Sequence, residues 1–208
     1  MSEDTWQRMV HTPEEEAGLA GERNLLSVLA KIPGACAKGP LYIPTQSGGI
    51  TEIDAVLVHT SGIFVFENKE YSGSISGTLA DRLWLKTGSA GATISVANPV
   101  HQNRIHTQAA ASALKVPEKY VHSVIVFSDS CDISRVPESR SDFCITQTSR
   151  IKADLSTLLS LSSFTKEEAD ALAFRLCRYA GSAKAAEKHA KHIADIKKER
   201  RSEKKRGR

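Results

Sequence analysis

The sequence has little of what most readily assigns a chain to a class. Aromatic residues are 6% of its 208 positions, and apolar runs such as Ala55–Val58 and Ile63–Phe66 last only a few residues. A membrane-spanning helix needs about 20 apolar residues, so no membrane span is expected. The four cysteines, Cys36, Cys131, Cys144 and Cys177, form no CxxC pair, which excludes the common zinc-knuckle and dithiol motifs. No Walker loop, GxGxxG or nucleophile elbow occurs, which argues against nucleotide-driven or serine-based chemistry and predicts no nucleotide cofactor. The opening MSEDTWQRMVHTPEEE is acidic and polar rather than basic and then apolar, so no secretory signal is read there. Free thiols and a cytoplasmic location follow as expectations.

What is present is globular: 40% hydrophobic and 25% charged residues, on a length that suits one domain with terminal extras. Charge is unevenly spread. Residues 184–208 hold eleven lysines and arginines against four acids, whereas residues 1–183 hold 17 against 20. Lys197, Lys198, Arg200, Arg201, Lys204, Lys205 and Arg206 make this tail a candidate contact for nucleic-acid phosphates. A solvated helix or a frayed terminus is the competing reading.

A first helix is expected from Thr12, as cap, and Pro13 to the Pro33-Gly34 stop, with Glu15 completing a capping box and Leu25, Leu26, Leu29 and Ile32 on its apolar face. Glu22 falls on or beside that face, an odd place for a carboxylate. Strands are expected near 40–45, 50–59, 63–70, 73–77, 82–87, 121–127 and 143–146. Helices are expected at 99–115, 150–160 and 165–180, the last opened by a Thr165/Glu168 box. In the strand at 63–70 both faces begin apolar, which implies helical layers above and below the sheet. It then ends Glu67-Asn68-Lys69-Glu70, and charge arriving at the end of a buried strand marks a candidate active-site edge.

If residues 60 and 61 form the turn between 50–59 and 63–70, paired residue numbers sum to 121 and Asp54 stands opposite Glu67, with Cβ atoms roughly 5 Å apart. Lys69 shares the face of Glu67, and Glu52 would face Lys69. Two adjacent carboxylates repel each other unless a cation lies between them. Mg²⁺ suits such a pair, because it takes oxygen ligands and keeps waters and substrate phosphate. The backbone carbonyl of Asn68 adds a candidate ligand to Asp54 and Glu67. Lys69 is placed to hold a metal-bound water, and Glu22 is a candidate outer carboxylate. The blander alternative is a structural ion cluster at a sheet edge.

These residues carry a resemblance. Gly21-Glu22, Glu52-Ile53-Asp54, Gly62-Ile63-Phe64-Val65-Phe66-Glu67-Asn68-Lys69, Tyr71–Gly77, Trp84 and Asn98-Pro99-Val100-His101-Gln102 together resemble the nuclease-related domain (NERD) family of the PD-(D/E)xK nuclease superfamily, over about residues 18–130. The resemblance implies a restriction-endonuclease-like α/β core, a central mixed sheet flanked by helices, and Mg²⁺-dependent cleavage of nucleic acid; DNA is expected ahead of RNA as the substrate, with Mn²⁺ as a possible substitute for Mg²⁺. It makes Asp54 and Glu67 metal ligands, Lys69 the water-orienting lysine, Glu22 the helix acid and Gln102 the glutamine of the following helix. His106, one turn from Gln102, is read as structural or surface.

The expected organisation is a 1–11 extension, a 12–150 nuclease-like domain, helices at 151–182 packed on it and a basic tail at 183–208. The functional alternatives are a nucleic-acid-binding module that does not cut and an interaction adaptor.

Overall fold

The computed structural model describes residues 13–181. The Thr12 cap, the Glu15 side chain of its capping box, the 1–11 extension and the basic tail with its seven named cations fall outside the described residues or side chains.

The central sheet has five strands, β1 (Cys36–Lys38), β4 (Ala55–His59), β5 (Gly62–Lys69), β9 (Val121–Phe127) and β11 (Phe143–Gln147), in the order β1-β4-β5-β9-β11. The first two pairings are antiparallel and the last two parallel, so the sheet is mixed. The strands β4 and β5 hold two inward faces each. Val56, Val58, Ile63 and Val65 pack under α2 (Pro99–Leu114) and α5 (Lys166–Leu176), while Leu57, Phe64, Phe66, Val124 and Val126 pack under α1 (Pro13–Leu29) and the short α3 (Ile151–Asp154). Burying each such side chain contributes about 1.5–3 kcal/mol, which is why consecutive apolar residues rather than alternating ones mark these strands. The expected α/β architecture, with a central mixed sheet between helices and a helical C-terminal region, is the one observed. The Thr165/Glu168 capping box of α5 forms as expected.

The β4–β5 register follows the sum of 121, from Ala55 opposite Phe66 to His59 opposite Gly62. The expected single strand at 50–59 is, however, two. β3 (Ile50–Ile53) leaves the central sheet and pairs with β2 (Leu41–Pro44), and the chain bends at Asp54 before β4 begins. Glu52 therefore faces Tyr42, not Lys69, and accepts a hydrogen bond from the Tyr42 hydroxyl at 3.0 Å. Part of the reason is Gly39. A Cβ there would stand 2.0 Å from the Asp54 carbonyl oxygen, so only glycine lets the two backbones pass this closely.

A second sheet, unexpected as a unit, contains β10 (Cys131–Arg135), β6 (Gly73–Ser76), β7 (Leu83–Thr87) and β8 (Thr93–Ala97) in that order. Trp84 is buried in its core with Ile75, Phe127 and Phe143, and its indole donates to the Thr78 carbonyl at 2.9 Å. Short β1 and polar β10 were not expected either. The first helix stops at Leu29, and 165–180 is α5 followed by a 3₁₀ turn at Cys177–Tyr179. The span at 150–160 is α3 and α4 (Ser156–Leu159).

Candidate active site

The buried strand β5 carries its polar end out of the core at Glu67, and alternation keeps Glu67 and Lys69 on the α2 side of the sheet with Val65. Asp54 is held beside them by a hydrogen bond from the Asn68 backbone N–H to its Oδ2, at 2.6 Å. The bend that removes Glu52 from the sheet thus leaves Asp54 directly before the Ala55–Phe66 pair, within electrostatic reach of Glu67.

The opposite wall is α2. Its N-cap, buried Asn98, accepts from the Val100 N–H at 2.9 Å and donates to the carbonyls of Asp81 and Thr78, anchoring the helix start to the second sheet. Asn103, fully buried, donates to Val65 O at 3.0 Å, Ser123 Oγ at 2.9 Å and Val124 O at 3.3 Å. Those bonds fix the rotation of α2, and with it Gln102 and His106 point at the end of β5. Lys69 Nζ donates to Gln102 Oε1 at 3.3 Å and to Glu67 Oε1. His106 Nε2 lies 3.6 Å from Glu67 Oε2.

Glu22, Asp54, Glu67, Asn68, Lys69 and Gln102, all six candidates within the described residues, line one cleft of about 1070 Å³. Glu52, Glu70, Arg82 and His106 line it as well. His106 is 4% exposed, so of the two readings, structural or surface, the surface one falls away, and its contact with Glu67 is one the sequence did not disclose. The signal available was its i, i+4 relation to Gln102.

The electrostatics are those of a site short of positive charge. Burial first, then Asp54 and Glu52, push the Glu22 carboxyl up to about 7. Burial first, then Glu67, push Asp54 up to about 7 against the opposing pull of the Asn68 N–H and Lys69. Glu67 is likewise raised by burial, although Lys69 pulls it down. Burial works against the Lys69 ammonium, but Glu67, Tyr71 and Asp54 outweigh it and hold Lys69 charged. Two cleft oxygens, Glu67 Oε2 and Asn68 Oδ1, are buried and accept no hydrogen bond, and His106 Nε2, 3.6 Å from Glu67 Oε2, would be a cation beside it were it protonated. A buried carboxylate oxygen without a donor is costly, and a divalent cation beside Asp54 would relieve both that deficit and the mutual repulsion. No group of three or more His, Cys, Asp or Glu side chains among the described residues forms a ready metal cage. Mg²⁺ needs only one or two carboxylates besides water and phosphate, so the residues present fit a hard cation of that kind.

Fold and cleft together define a mixed α/β protein with a nuclease-like core. The chain belongs to the nuclease-related domain (NERD) family, whose model matches residues 17–128. An uncharacterised protein of Bacillus anthracis is 29% identical over 128 residues, a match covering 61% of this chain and 59% of that relative. The chain thus spans about three fifths of the length of the curated relative it matches. No solved structure matches significantly. No helix among the described residues is long and apolar enough to cross a membrane.

Proposed function

We propose that this protein is a Mg²⁺-dependent nuclease that hydrolyses phosphodiester bonds in nucleic acid, DNA in preference to RNA, with Mn²⁺ able to substitute. The observation that carries the reading is the orphaned Glu67 Oε2 in a cleft it shares with Asp54, Lys69, Gln102 and Glu22. Asp54 and Glu67 would hold the ion, with the Asn68 carbonyl as a further oxygen. Such an ion, when bound, lowers the pKa of a water and offsets charge developing on the phosphate.

The chain's own groups do the rest. Lys69, oriented by Glu67 and Gln102, donates toward the attacking water and fixes its approach to phosphorus. Glu22, whose carboxyl sits near 7, is suited to taking up or releasing a proton at neutral pH. The basic tail from Lys197 to Arg206 would add affinity for phosphates without reading sequence. Four free cysteines suit a reducing cytoplasm.

The test is incubation of the full chain with plasmid DNA and Mg²⁺, beside Asp54→Asn. Cleavage by the wild type that the variant loses supports the reading. Cleavage that survives the substitution removes this active site, and tight binding without cleavage leaves a nucleic-acid-binding module.

A further inference from the structure

Helix α2 separates the catalytic cleft from a second concavity of about 610 Å³. Gln102, Ile105 and His106 look into the first, Arg104 and Thr107 into the second, and His101 borders both. His101 is fixed there by a 2.8 Å hydrogen bond between its Nε2 and the Leu79 carbonyl oxygen. His101 is therefore a wall common to the two concavities, with Leu79 beside it on the side of the second.

Their chemistry differs in a way that suits a continuous strand. The catalytic cleft carries five carboxylates, Glu22, Glu52, Asp54, Glu67 and Glu70, against Lys69 and Arg82. Alone it repels a polyanion, so cations outside it must hold the flanking phosphates. The second concavity has a mixed lining, apolar at Val100, Val121 and Leu158 and polar at Thr107, His122 and Ser123, and it also holds Arg104, Lys119 and Arg140. Glu118 and Asp142 line it too, which leaves one net positive charge there. Phosphates alone have no use for the apolar part of this lining. A base uses both parts, its face on the apolar side chains and its edge on the polar ones, but only when it is unstacked and unpaired.

We propose that the second concavity seats an unpaired nucleotide of the same strand whose phosphodiester lies in the catalytic cleft, its base against Val100, Val121 and Leu158 and its neighbouring phosphates beside Arg104, Lys119 and Arg140. The proposal rests on the nuclease reading and adds its substrate class, a single-stranded or locally opened polynucleotide that crosses α2 at His101.

The test uses the full chain and the triple variant Arg104→Gln/Lys119→Gln/Arg140→Gln, all three being exposed side chains outside the catalytic cleft. Binding of a fluorescein-labelled single-stranded oligodeoxynucleotide is measured by anisotropy in EDTA over a range of salt, and hydrolysis of bis(4-nitrophenyl) phosphate is measured in Mn²⁺. The triple variant should bind the strand more weakly, with a salt slope reduced by about 2, roughly 0.7 per lost phosphate contact. Its turnover of the small diester should match the wild type. An abasic strand of equal length and charge should bind the wild type about fivefold more weakly, the lower end of what a seated base contributes. An unchanged salt slope in the triple variant, with the wild type still hydrolysing the diester, overturns this proposal and spares the nuclease reading. Equal affinity for abasic and intact strands overturns the seated base. A wild type that hydrolyses no diester refutes the nuclease reading itself.

Discussion

The Asn68 backbone N–H donates to Asp54 Oδ2 at 2.6 Å, across a bend at which one run of extended sequence becomes two strands of different sheets. That bond joins the residue after one acid to the other acid. It places Asp54 in the cleft although Asp54 itself belongs to neither β3 nor β4.

The metal-free protein should lose stability as pH rises from about 4 to about 7. Asp54 and Glu22 each have folded-state pKa values raised to about 7, above the ordinary carboxylate range. Across that window the native state holds more protons than the unfolded chain. Stability therefore has a negative slope with pH, is fully present below the unfolded pKa and is lost through the folded one. Denaturant midpoints in EDTA should fall over this window by an amount worth about 2–4 kcal/mol. Asp54→Asn should flatten most of the fall. Mg²⁺ should restore stability above pH 7, because it binds the deprotonated carboxylates. A wild-type profile that rises through the window would contradict the charge deficit assigned to the cleft.

Lys69→Met and Gln102→Ala should separate water orientation from ion binding. Asp54 and Glu67 survive in both variants, and losing the Lys69 ammonium removes a charge that competes with a cation. Calorimetric Mn²⁺ affinity should therefore be kept or increased in Lys69→Met while hydrolysis falls by about 10³, from loss of several kcal/mol of transition-state stabilisation. Gln102→Ala removes one hydrogen bond to a charged partner, worth about 1.5 kcal/mol, so turnover should drop about tenfold with KM little changed. Equal losses in the two variants would mean that Gln102 does more than orient Lys69.

The sequence disclosed the acid, acid and lysine together because strand alternation and an even turn leave little freedom once Gly62 starts a buried strand. It also disclosed Gln102, through the resemblance and its spacing in a capped helix. It did not disclose that Glu52 leaves the sheet, since Ile50–His59 carries no Gly or Pro and reads as one extended run, and part of the reason for the break is the approach of Gly39, a contact outside that run. The second sheet escaped for local reasons. Cys131–Arg135 is polar, and Thr93–Ala97 is an edge strand with a weak apolar pattern. His106 stays open between structural and surface in the sequence because a lone histidine on a helix gives no sign of what faces it, and here that is Glu67.

Asn103→Ala should loosen α2 without touching the cleft directly. The Asn103 amide serves Val65 O, Val124 O and Ser123 Oγ in a fully buried setting, and its loss leaves acceptors unsatisfied at a cost of about 1–3 kcal/mol. Urea midpoints should fall accordingly. Activity should fall too, because Asn103 lies between Gln102 and the rest of the helix. A variant as stable as the wild type would show that the apolar contacts of Ala109, Ala110 and Leu114 position α2 unaided.

Gly39→Ala tests whether a backbone contact outside the cleft sets the position of Asp54. A methyl group at Gly39 would lie 2.0 Å from the Asp54 carbonyl oxygen and 3.0 Å from the Ala55 Cα, both backbone atoms that no side-chain rotation can move aside. The strand segments must part, at an overpacking cost of about 1–3 kcal/mol, and Asp54 moves with them. A displacement of about 1 Å at a reacting centre costs on the order of 10² in rate. The expected result is a folded protein of reduced thermal stability, weakened Mn²⁺ affinity and a loss of hydrolysis far larger than its loss of stability. Gly48→Ala is the control, since a Cβ at Gly48 meets nothing within 4 Å and its positive φ of 85° carries only the local strain of a left-handed turn. It should cost about 1 kcal/mol of stability with metal affinity and turnover intact. If the two variants behave alike, the clearance at Gly39 plays no part in holding the acid beside Glu67.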